Sequence, residues 1–206
     1  MKLPKMLKQD YVQTIIMIVA VILAVVIFWY GISFVLKTEN PVLAVASESI
    51  EPVLYKGDLI FIEGIDNVSD IQIGFKDSTH PGDIIVFHKP TDPDELIVHR
   101  AVEKIERSDG TYVFKTQGDN ERTNPFPDPW EIKEGAIVGR YLNIKIPWVG
   151  NIPLFLRPLE VKVAFIALLV LILVLVEFIP LIRKKQNKTD TEESLYKELQ
   201  QIHDVL

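Results

Sequence analysis

From Tyr11 to Leu36 the chain runs 26 residues without a charge, YVQTIIMIVAVILAVVIFWYGISFVL. As a helix this run reaches about 39 Å at about 1.5 Å per residue, enough to cross a bilayer core of about 30 Å with some tilt. A second apolar stretch, Val163 to Ile182, carries one charge, Glu177, and is also of spanning length. Everything else must be arranged around these two segments. The sequence therefore divides into an N-terminus (1–10), a first membrane helix (11–36), a middle segment (37–160), a second membrane helix (161–182) and a tail (183–206).

Ala44-Val45-Ala46 has the small-x-small pattern of a leader cleavage site. A removable leader, however, has an apolar core of only about 7–15 residues with its cleavage site close behind. Here Ala46 lies ten residues beyond a longer run, so an uncleaved anchor is expected. Lys2, Lys5 and Lys8 precede the first run, and Arg183, Lys184, Lys185 and Lys188 follow the second. Positive residues stay cytoplasmic, which predicts a two-pass plasma-membrane protein with both termini inside and the middle segment outside. Glu177, six residues before Arg183, is read as interfacial rather than as an ion path.

Residues 38–160 hold 12 Lys+Arg against 21 Asp+Glu, a net of −9. So acidic a segment offers no basic face for nucleic acid. The absence of cysteine removes disulfides, thiol catalysis and Cys-ligated metal sites.

The middle segment alternates short apolar runs with turn formers. DLIFIE (58–63), DIIVFH (83–88), ELIVHRAVEKIE (95–106), TYVFKTQ (111–117) and AIVGRYLNIKI (136–146) are rich in β-branched and aromatic residues. Turn signals such as HPGD, TDPDE and RSDG bound them, predicting strands and hairpins in a compact, mostly β domain. Gly-Asp recurs in KGDLIF, PGDIIVF and at Gly118-Asp119. Turn chemistry accounts for that: glycine permits positive φ and aspartate bonds back to the local backbone. Residues 147–158, PWVGNIPLFLRP, fit either core or membrane-surface contact. The tail beyond Lys188 has weak helical spacing at Leu195, Leu199 and Ile202, predicting a marginal helix or disorder.

Three stretches carry candidate chemistry. In SESIEP, Ser49 stands two residues after Ser47 and three before Pro52. A serine hydroxyl needs a base to take its proton and a partner to hold that base. Of four histidines only His99 lies within an apolar strand, LIVHRAV. Histidine is the natural general base near neutral pH. FKTQGDNERTNPFPDPWE then offers Asp119 and Asp128. Each signal alone has a structural explanation.

Their order does not. SESIEP, GDIIVF, IVHRAVE and TQGDN, over roughly Ala44 to Pro153, resemble the boxes of type I signal peptidases. The resemblance is to the archaeal and endoplasmic-reticulum branch, with histidine where bacterial enzymes have lysine. It implies Ser49 as nucleophile and His99 as general base. It also implies an oxyanion site from Ser47 and the Ser49 N–H, and Asp119 as the aspartate of the Gly-Asp-Asn box. Two departures stand out. The family's second aspartate, six residues on, is here Pro125, and Asp128 takes that place after an apparent three-residue insertion. Asp128 is preferred to Asp119 as the residue that orients His99. Ile50 replaces a usual methionine, a swap of similar volume.

The expected fold is thus a mostly β, signal-peptidase-like domain anchored by two transmembrane helices. The expected function is a membrane-bound serine endopeptidase that cuts signal peptides from secretory preproteins after Ala-x-Ala sites. No metal or organic cofactor is implied, and accessory membrane subunits are left open. Two alternatives stand beside it: a non-catalytic anchored β module that binds peptides or membrane partners, and a serine protease with another substrate.

Overall fold

In a computed structural model of the full chain, the described residues are 5–172 and 175–176. The chain divides into Met1–Leu154, which holds the first helix and the whole sheet, and Phe155–Leu206. Helix α1 spans Lys5–Val35. Within it Ile15–Val35 forms one helix long and apolar enough to cross a membrane, and most of its side chains are exposed. In the second unit, 159–172 and 175–176 are helical and largely exposed. The second expected span runs past the described residues, so a second membrane-crossing helix is not shown. Glu177 and the tail also lie outside them.

Among the described residues seven antiparallel strands make one sheet: β1 (Val42–Ala44), β2 (Leu59–Glu63), β3 (Ile84–Lys89), β4 (Asp92–Glu106), β5 (Tyr112–Gln117), β6 (Ile132–Lys133) and β7 (Ile137–Ile146). Their order is β1-β2-β7-β3-β4-β5-β6. The mostly β expectation holds, and its five runs correspond to β2, β3, β4, β5 and β7. At β3 the residues from Ile84 to Phe87 are all buried. The reason is that both faces of the sheet carry a core. Ile84 and Val86 join Ile50, Leu54, Ile60 and Ile62 on one side. Ile85 and Phe87 join Ala101, Phe114 and Ile132 on the other. A strand covered on both faces reads as a continuous apolar run rather than an alternating one.

Three features differ from expectation. TDPDE is not all turn: β4 starts at Asp92, and this exposed first residue pairs back to Lys89 across a register shift. His88 Nδ1 lies 2.6 Å from the Pro93 carbonyl oxygen, which ties the hairpin end together. The 147–158 segment is not core: Trp148 and Ile152 are exposed, and a short helix α2 covers Asn151–Phe155. The recurring glycines serve two purposes. Gly57 has φ +92, as turn chemistry predicts, whereas Gly118 is outside the left-handed region and answers a close approach.

Candidate active site

Ser49 sits in the turn-rich segment after β1. That segment is fixed from both sides. Ahead of it, the Val45 N–H donates to the Asp58 carbonyl and the Gly57 N–H to the Val45 carbonyl, both at 2.9 Å. Behind it, Ile50 and Leu54 are buried to 1% and 0% exposure in the core. Such burial is worth about 1.5–3 kcal/mol per side chain, so the serine rides on an anchored loop. Ser49 is half-buried and Ser47 exposed, with their hydroxyl oxygens 3.1 Å apart.

The turn after β5 holds the Ser49 main chain. The Asn120 N–H donates to the Ser49 carbonyl at 3.0 Å, and Asn120 Nδ2 donates to the Glu48 carbonyl at 2.9 Å. At Gly118 a Cβ would come within 2.4 Å of the Ser49 carbonyl oxygen, so no side chain fits there. Register connects this turn to the histidine strand. Gln117, just before Gly118, pairs with Arg100, the residue after His99.

His99 is buried, 6% exposed, in the buried His99–Ala101 stretch of β4. Its Nδ1 lies 2.7 Å from Asp128 Oδ2. Thr116 Oγ1 donates to the same carboxylate oxygen at 2.6 Å, and the Asp128 N–H donates to the Thr116 carbonyl at 2.8 Å. Asp128 is therefore fixed in place by β5, one strand over from His99. With Nδ1 committed to the carboxylate, Nε2 is the nitrogen left to face a hydroxyl.

Asp119 has a different partner. Arg100 Nε and Nη2 donate to its two carboxylate oxygens at 2.8 and 2.6 Å, and Arg100 Nη1 donates to the Gly82 carbonyl. Both groups are buried. Lys76 Nζ donates to the Asp119 carbonyl at 2.9 Å. The fork geometry of a bidentate guanidinium suits such a lock. It joins β4, immediately after His99, to the turn that seats Ser49.

A second lock lies under the serine loop. Lys145 Nζ, on β7, lies 3.0 Å from Asp58 Oδ2 and donates to the Val53 carbonyl at 2.8 Å. Burial works against the Asp58 carboxylate. Hydrogen bonds from the Tyr55 N–H and Lys145 outweigh it and hold its pKa below the usual carboxylate value.

Of the residues singled out in the sequence, the fold brings His99 to Asp128, Ser47 to Ser49, and the Ser49 main chain to the Asp119-Asn120 turn. It brings neither Asp119 nor the Ser49 hydroxyl into hydrogen-bond contact with His99: Asp119 is held by Arg100 and the Ser49 hydroxyl by Ser47. Sequence reasoning missed Thr116, Arg100 and Asn120. Arg100 and Asn120 stand beside residues already chosen, so adjacency was their only signal. Thr116 read as an ordinary strand residue.

Known proteins resemble this chain in sequence. The family described as signal peptidase, peptidase S26, matches residues 10–111, a stretch that includes Ser49 and His99. The signal peptidase complex catalytic subunit SEC11 of the fungus Schizophyllum commune is 31% identical over 153 residues, 64% of this chain and 72% of its own. The chain belongs to the signal peptidase family. The SEC11C subunit of the human signal peptidase complex is 28% identical over 162 residues, 75% of this chain and 77% of its own. The SEC11 subunit of Lachancea thermotolerans is 29% identical over 136 residues, 63% and 73%. As a signal peptidase the chain is a hydrolase of peptide bonds in protein secretion, and its substrates carry signal peptides. The family match ends before Asp119 and Asp128, so the pairing of His99 with Asp128 rests on the geometry above.

Proposed function

We propose that this signal peptidase is a membrane-anchored serine endopeptidase whose working groups are Ser49, His99 and Asp128. The observation that carries the reading is the hydrogen bond from His99 to Asp128, beside the turn that seats the Ser49 main chain. Ser49 Oγ attacks the carbonyl carbon of the scissile bond while His99 Nε2 takes its proton. The tetrahedral oxyanion is held by the Ser49 N–H and Ser47 Oγ. His99 then gives the proton to the leaving amine, and the mature chain departs. The signal peptide remains as an ester on Ser49. Water, deprotonated by His99, releases it and restores the serine. Asp128 fixes the imidazole tautomer and stabilises the imidazolium in both halves, and Thr116 steadies Asp128.

Supporting the membrane part of the reading are the exposed apolar face of α1 and the lysines before it. Residues 163–182 supply the proposed second span, with both termini cytoplasmic and the sheet outside, at the plasma membrane. A preference for small side chains at the first and third positions before the cut, as in Ala-x-Ala, completes the proposal. The relatives are named as subunits of a complex, so partner subunits belong among the variables of the test.

The test uses the full chain in lipid vesicles with one preprotein, with and without added native membranes. Cleavage should be seen with the unaltered enzyme, and His99→Ala should abolish it. Full activity in His99→Ala removes histidine from the mechanism.

A further inference from the structure

The junction between α1 and the sheet is built as a rigid joint. The Lys37 N–H donates to the Phe34 carbonyl at 3.3 Å and the Thr38 N–H to the Ser33 carbonyl at 3.2 Å. These are the paired bonds that end a helix on a left-handed residue, and Lys37 has φ +53. The chain leaving β2 then grips this end. The Gly64 N–H, just past β2, donates to the Leu36 carbonyl at 2.7 Å. A Cβ at Gly64 would lie 2.0 Å from the Lys37 carbonyl oxygen, so the two backbones touch with no side chain between. Lys37 pairs with Asp66, and buried Thr38 donates through Oγ1 to the Val138 carbonyl at 3.3 Å.

Beyond the joint the chain never leaves β2. The Ile62 N–H donates to the Pro41 carbonyl at 3.0 Å. Val42, Leu43 and Ala44 then pair with Phe61, Ile60 and Leu59, and Val45 bonds to Asp58. Ser49 follows four residues later. The path from the end of α1 to the serine loop is therefore the length of β2, roughly 16 Å for five residues at about 3.3 Å each. At the other side of the joint, exposed Trp29 and Tyr30 lie in the closing turns of α1. Aromatic residues of this kind settle at the membrane interface.

We infer that the Leu36–Thr38 joint with Gly64 is a site-selecting device. It holds Ser49 at a fixed height above the aromatic belt of α1, and so sets how far from a substrate's apolar segment the bond is cut. This rests on the proposed function, because it needs both a membrane-seated α1 and a nucleophilic Ser49. Specificity then has two parts: small side chains at the cut, and a distance fixed by the enzyme's own strand.

The experiment inserts four alanines between Tyr30 and Gly31 of the full chain in lipid vesicles. The aromatic anchors stay at the interface and the joint is untouched, while one added turn lifts the sheet by about 6 Å. The substrate is a preprotein whose apolar segment is followed by a run of alanines, so that every bond in the run satisfies the small-residue rule. Product termini are read by mass spectrometry. The cut should move about two residues away from the apolar segment, since an extended chain covers about 3.3 Å per residue. A second variant carries the same insertion plus six Gly/Ser residues between Lys37 and Thr38. It should lose the defined shift and cut at scattered bonds. An unchanged cut position in the first variant, or the same sharp shift in the second, overturns the inference. Failure of the underlying reading looks different: the unaltered enzyme leaves the preprotein whole.

Discussion

Asp119 and Asp128 lie nine residues apart in one loop, yet their surroundings assign them opposite tasks. Asp128 receives His99 and Thr116 on one oxygen, whereas Asp119 is spent on Arg100. Asp128→Asn should leave the fold standing and lower kcat by on the order of a thousand- to ten-thousandfold, through the wrong tautomer and a destabilised imidazolium. Asp119→Asn should do the reverse. It strands a buried guanidinium, a loss of about 3–5 kcal/mol, visible first as a lower Tm. Thermal melts and kcat measured on both variants decide between these patterns, and equal effects on both quantities would contradict the division. The sequence named both aspartates and preferred Asp128 as the partner of His99, but offered no cation for Asp119. A carboxylate's role depends on which cation or imidazole the strands deliver to it, and that depends on register. The Arg100↔Gln117 pairing of β4 with β5 is not written in either strand alone.

At the level of elements, the strands found from sequence are those long enough to show β-branched, aromatic runs between turn formers. β1 and β6 have three and two residues and exist only through pairing with β2 and β5. Pattern reading has nothing to hold there. The Asp92–Glu95 stretch misled for the opposite reason, its Asp and Pro marking a turn where an exposed strand end continues β4. The Ser49 loop also depends on an element remote in sequence, since β7 reaches it through Lys145 and Asp58. Because the folded pKa of Asp58 is depressed, its contribution to stability is fully present above the unfolded value of about 3.9. It is lost as pH falls through the lower folded value. Melts of wild type and Asp58→Asn from neutral pH down to about pH 3 should start well apart and converge on acidification. A gap that stayed constant would show that the Asp58 charge contributes nothing.

For the whole molecule, the arrangement puts an acidic sheet domain behind an apolar helix, with the candidate groups on loops at the sheet's edge and on β4. The lysine and arginine flanks predict that protease added outside sealed vesicles digests residues 38–160 and spares the tail after Lys188. A protected middle segment would reverse the orientation and cut the enzyme off from exported chains. Whether Ser49 is the nucleophile is decided by cleavage of a preprotein by Ser49→Ala. The full chain and the variant, matched for amount and Tm in the same vesicles, are given one preprotein, and the mature N-terminus is read by mass spectrometry. With Ser49 as nucleophile, the wild type cuts after a small-x-small site and Ser49→Ala gives no mature product. Mature product from Ser49→Ala at a rate near that of the wild type would contradict that role.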